Sequence, residues 1–174
     1  MTARPLTGEP LALDLVNTEW VDHGRTVDLF DEPGGLLAWL HEQHLTGNHT
    51  TVAAPLRQAR SALRQALEQP DEHAEQQLNA ILARGVVRYT LHQGAVREGS
   101  DVDADWSAAW HAVRNYLDLI RQDPTRIRRC AHPACVLYFF DISRNGTRRW
   151  CSMDGCGSRA KAARHYQRHR TTPG

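Results

Sequence analysis

Apolar residues along the chain recur mainly at helical spacing, and four stretches carry that period. The first begins near Asp31, which can cap a helix, with Pro33 in its opening turn. It runs to about His44 and is expected to bury Leu36, Leu37 and Leu40. After a polar, loop-like Gly47–Ala54, a second helix starts near Pro55 and places Leu56, Ala59, Leu63, Ala66 and Leu67 on one face. Pro70 stops it. A third spans about Asp71–Ala83 with Leu78, Ile81 and Leu82 inward, and Gly85 ends it. The strongest pattern lies over about Asp103–Gln122, where Trp106, Ala109, Trp110, Val113, Leu117 and Ile120 form one stripe.

Elsewhere the period is two or undefined. Val87, Tyr89 and Leu91 alternate with Arg88, Thr90 and His92, as in a half-buried strand. Gly94 turns it into a short partner at Ala95–Arg97, and the acidic EGSDVDAD that follows reads as a loop. The opening LALDLVNT reads as a short strand or buried turn, and Gly24–Glu32 as a loop with a strand at Thr26–Phe30. Asp123-Pro124 breaks the last helix. The expected architecture is α+β: a mostly helical domain with a small β element over 1–123, then a compact module over 124–174.

Charge sharpens that division. The overall net charge is +1, carried by 20 Arg and one Lys against 20 acidic residues. Residues 1–123 hold 10 Arg against 18 Asp and Glu, a net of −8, whereas residues 124–174 hold 11 Lys and Arg against two Asp, a net of +9. A field of one sign in so short a segment attracts polyanions; the plain alternative is a solvated basic tail. The heavy use of Arg and Ala suggests a GC-rich bacterial genome. No run approaches the ~18 apolar residues of a membrane span, and MTARPLTGEP lacks a signal-peptide core. The expectation is a soluble, cytoplasmic, nucleoid-associated protein with no membrane partner.

All four cysteines fall in the basic part, as C-x4-C-x15-C-x4-C. Cys130, Cys135, Cys151 and Cys156 match the pairing of a tetrahedral four-thiolate zinc site, with Zn²⁺ in a structural role because a closed thiolate shell leaves no catalytic position. Buried free thiols or a redox pair are the alternatives, and His132 could stand in for one cysteine. Metal also answers a need, since so small a segment buries too little apolar surface to fold alone. Between the pairs, Val136–Asp141 reads as a strand. The Asn145-Gly146 turn would return the chain through Arg148, Arg149 and Trp150 as a β-hairpin.

Ser158 can cap a helix starting at the metal site. Lys161, Arg164, His165 and Arg168 would form its basic face, with Ala162, Ala163 and Tyr166 packing back. Arg144, Arg148 and Arg149 at the hairpin tip add candidate phosphate contacts. Arg159 either contacts DNA or braces the thiolates.

The stretch from Cys130 to Arg168, with RCAHPAC, LYFFDISRNGTRRWC and SMDGCGSRAKAARHYQR, resembles the CGNR zinc finger of bacterial regulators. LALDLVNTEW, the Leu36–Leu40 segment with Trp39 and the helical middle are similar to the ABATE domain that precedes that finger. The resemblance implies a stress-induced transcription regulator with DNA binding in the finger. Ser158 stands where the signature has Asn, a near-equal cap.

Other features weigh less. The His41/His44 and His165/His169 pairs read as solvated faces. Asp14 and Asn17 are either turn and cap chemistry or the wall of a small-molecule pocket with Trp20, Trp39, Arg88 or Trp110. No Ser/His/Asp arrangement, P-loop or dinucleotide glycine pattern occurs, so no enzyme is expected. The reading is a zinc-dependent DNA-binding transcription regulator, controlled by an effector or by homodimerisation through its first domain. The competing reading is a zinc-stabilised protein-interaction or RNA-binding module.

Overall fold

The computed structural model describes residues 4–162. The expected α+β class holds: a helical part with small β elements precedes a β-hairpin and helix gathered around four cysteines. LALDLV is a helix, α1 (Leu11–Val16), and not a strand. Its residues 12–16 are all fully buried, so no polar face marks the helical period in the sequence.

Strands β1 (Glu19–Asp22) and β2 (Arg25–Asp28) pair around His23 and Gly24, both left-handed at φ 46° and 79°. Such a two-residue turn matches the twist of the strands it joins. β2 ends before Phe30 because the Asp28 carboxylate accepts from the Phe30 N–H and winds Leu29–Asp31 into a 3₁₀ turn. Helix α2 (Gly35–Glu42) consequently starts later than Asp31-Pro33 suggested. A Cβ on Gly35 would lie 1.9 Å from the Leu29 carbonyl oxygen, so only glycine fits this junction. Leu40 and Trp39 are buried, but Leu37 points outward.

Helix α3 (His49–Glu68) begins more than a turn before Pro55, capped by Asn48, whose side chain accepts from the Thr50 N–H. The segment read as a loop is therefore mostly helix. Leu56, Ala59, Leu63 and Ala66 are buried as expected, with Leu67 at the margin. Asp71 caps α4 (Glu72–Leu82) through the Ala74 N–H.

β3 (Gly85–His92) and β4 (Ala95–Val102) form a ribbon turned by Gln93-Gly94. Two expectations fail here. β4 absorbs most of the supposed acidic loop, and β3 is not half-buried, because the ribbon projects from the body with both faces largely exposed. α5 (Ser107–Gln122) follows a 3₁₀ turn. Its inward face is Ala108, Ala109, Ala112, Val113, Tyr116 and Leu119, so the stripe is rotated and Ile120 faces outward.

β5 (Ile127–Arg129) and β6 (Tyr138–Phe140) form the second hairpin. β6 thus pairs with the strand before Cys130 and not with residues 148–150. Asn145-Gly146 does turn the chain, Gly146 donating to the Ser143 carbonyl. The returning segment is wound around Asp141 instead of pairing: this buried carboxylate accepts from the Ser143 N–H and hydroxyl and from the Arg148 N–H.

α1 packs against α3, α5 and β6, and one continuous core runs from these helices to the four cysteines. The seam across the charge boundary is hydrogen-bonded. Asn17 donates to the Tyr138 carbonyl at 2.8 Å and accepts from the Tyr138 N–H at 2.9 Å, acting as a neighbouring strand on the free edge of β6. Glu9 accepts from the Phe140 N–H and from Arg148.

Candidate metal centre and basic face

Each cysteine is set by local backbone structure. Cys130 follows β5 and donates its N–H to the Leu137 carbonyl, while Cys135 closes a turn by donating to the carbonyl of His132. The second pair is carried by a wider helical turn, Met153–Gly157, whose start is capped by Ser152 accepting from the Gly155 N–H. A Cβ on Gly155 would lie 2.7 Å from the Ser152 hydroxyl, so the cap needs glycine there. The Ala131 N–H donates to the Arg149 carbonyl and ties the two pairs together.

The result is four free, buried thiols whose sulfurs all lie within 4.8 Å of one another. Cys135 Sγ and Cys151 Sγ are 3.9 Å apart. Four ligands at the usual zinc–sulfur distance of about 2.3 Å sit about 3.8 Å apart in a tetrahedron. The donor set therefore fits a tetrahedral metal ion. His132 is not needed as a ligand; its Nδ1 accepts from the Ala134 N–H.

The thiols alone are electrostatically frustrated. The hydrogen bond with Cys151 lowers the Cys135 pKa, so Cys135 takes the first negative charge. The same contact, with burial and the neighbouring sulfurs, pushes Cys151 up, and burial pushes Cys130 up. A bound cation removes this conflict. Arg159 donates to Cys156 Sγ at 3.2 Å, and that hydrogen bond raises its own pKa. Of its two expected roles, bracing the thiolates is the one seen.

The other basic candidates separate. Arg148 is a brace: it donates to the Trp150 and Cys151 carbonyls and to Glu9, and stacks 4.2 Å from the centre of the Phe139 ring. Its charge is spent inside the protein, contrary to its expected phosphate role. Arg144, Arg149 and Lys161 are exposed, and Arg149 lies over Trp150. Arg129 is a further exposed cation, missed because β5 did not stand out in the sequence. Residues 158–162 are helical, but Ser158 is not the cap; its hydroxyl donates back to the Met153 carbonyl. Ala162 is exposed, and Ala163, Arg164, His165, Tyr166, Arg168 and His169 lie outside the described residues.

The proposed small-molecule pocket does not form. Asp14, Asn17 and Trp39 are fully buried and bonded to protein: Asp14 accepts from Arg4, the Gly8 N–H and Trp39 Nε1, and Asn17 is committed to Tyr138. Arg88 is far from any such site in character, paired with Asp101 on the exposed ribbon. Trp110 donates to the Leu82 carbonyl. Trp20 does border a cavity beside Cys135 and Cys156, but at about 70 Å³ it is too small for a metabolite. Glu9 and Asp141, the two acids that organise the finger, were missed. The Asp-x-Ser spacing of Asp141 and Ser143 is the signal that could have found the second.

No helix among the described residues is long and apolar enough to cross a membrane. The CGNR zinc finger model matches residues 126–169. The ABATE model, described as "Putative stress-induced transcription regulator", matches residues 9–123. No curated protein matches the chain. Both matched families are regulatory or zinc-finger families and neither is enzymatic. With most of its length matched by that model, the chain belongs to the ABATE family and carries a CGNR-type four-cysteine finger at its C-terminal end.

Proposed function

We propose that this protein is a zinc-dependent DNA-binding transcription regulator. Residues 124–174 bind DNA, and residues 1–123 receive the regulatory input, through an effector or a second copy of the chain. Cys130, Cys135, Cys151 and Cys156 hold one structural Zn²⁺, which neutralises the crowded thiolates and fixes the start of the basic helix. Arg144, Arg149 and Lys161 reach phosphates, and Arg164, His165 and Arg168 continue that face. The observation that carries the reading is the root of this helix in a buried four-thiol cluster, within a segment of net charge +9 on a chain otherwise at −8. Rigid anchoring and concentrated positive charge are what phosphate tracking requires.

The test is the slope of log K against log salt for a duplex fragment. Each phosphate contact contributes about 0.9 to the slope, so several contacts give a steep line. Competition with structured RNA separates DNA from RNA binding. Failure of the metal-loaded protein to bind duplex DNA at low salt would reject the proposal.

A further inference from the structure

The β3–β4 ribbon is out of keeping with the rest of the fold. Its strands are eight residues each, yet they meet no third strand among the described residues. Two-stranded ribbons are marginal in water, and unpaired edges invite association. The register sets Tyr89 opposite Glu98 and Leu91 opposite Val96, so these four share one face. Tyr89, Leu91 and Val96 are 65 %, 74 % and 71 % exposed, a contiguous apolar tip. The root is fixed: Glu98 pairs with Arg114 of α5, and Gly85 and Val102 pack close to Trp110.

The same chain presents a complementary surface. Between α4 and α5 runs a groove of about 340 Å³ floored by Leu78, Leu82, Leu117 and Ile120, with Asp71 and Glu75 on its rim. The exposed ribbon tip does not fill the groove of its own chain. It carries Arg97 and His92, opposite in sign to the acidic rim.

We propose that the ribbon tip of one chain seats in the α4–α5 groove of a second copy, reciprocally about a two-fold axis. Apolar tip meets apolar floor, and Arg97 meets Glu75. A closed pair satisfies both surfaces at once, as two-fold assemblies do. This assignment does not depend on what the finger binds.

Sedimentation equilibrium of the full chain tests it. The expected result is a dimer whose dissociation constant rises at least tenfold in L91R and in I120E. Both positions are solvent-exposed, and far-ultraviolet circular dichroism confirms that each variant is folded. R97E and E75R each weaken the dimer, and the double variant restores it. A wild-type chain monomeric at high micromolar concentration would overturn the proposal. So would a dimer untouched by L91R, a dimer weakened by L91R but not by I120E, or a double charge variant as weak as the single ones.

Discussion

Replacing Asn17 with Ala removes the only side chain that pairs with both backbone groups of Tyr138 at the seam between α1 and the finger. The side chain is 1 % exposed and its two hydrogen bonds are 2.8 and 2.9 Å long. Each buried group left unpaired costs about 1–3 kcal/mol. The β5 side of β6 cannot compensate, because its bonds are already committed to the hairpin and its flanks, such as Cys130 to Leu137 and Asp141 to Arg126. With some relaxation, N17A should lose about 2–5 kcal/mol. For a chain of this length each kcal/mol shifts Tm by roughly 2–4 °C. Urea unfolding by tryptophan fluorescence measures the first quantity and calorimetry the second. Because Tyr138 lies three residues from Cys135, chelator competition should also show weaker metal retention. A loss below about 0.5 kcal/mol, with metal retention unchanged, would mean that the Tyr138 edge is satisfied without Asn17, and the seam argument would fail.

Three further outcomes follow from the geometry. Stripping metal with a strong chelator should remove amide-exchange protection from residues 127–140 and also along α1, because the two share a core, and adding zinc should restore both; protection of α1 surviving intact would separate them. Asp28 gives a pH signature. Burial opposes its ionisation, but hydrogen bonds from Arg60 and the Phe30 N–H, with the charges of Arg60 and Arg57, hold its pKa below the ordinary 3.8. Its contribution is therefore present above about pH 4 and lost as pH falls through the lower folded value. The stability gap between wild type and Asp28→Asn should close over that range, and a gap that widened there would contradict the sign. Finally, Arg148→Met should speed metal loss to a chelator while leaving the DNA salt slope unchanged, whereas Arg149→Ala should reduce that slope by about 0.9; reversed results would exchange their roles.

Legibility in the sequence followed how each segment meets solvent. α4 and α5 were readable because one face is apolar and the other wet. α1 was not, since residues 12–16 are enclosed on every side and leave no pattern. β5 escaped because Ile-Arg-Arg at 127–129 carries a single apolar residue. The ribbon was read as strand correctly, but alternation implied a buried face that the fold does not supply. The cysteines were found by spacing, which reflects ligand geometry directly. Arg148 shows the limit of charge counting: a sequence reveals a guanidinium but not the carbonyls it will bind.

Asn17 and Glu9 reach across from one family segment to grip the main chain of the other. Exchange of modules between genes is thereby restricted. A finger transplanted onto an unrelated partner would arrive with the outer edge of β6 bare, and a recipient lacking an equivalent amide and carboxylate would inherit an unfinished sheet. The two segments should accordingly be passed on as a pair.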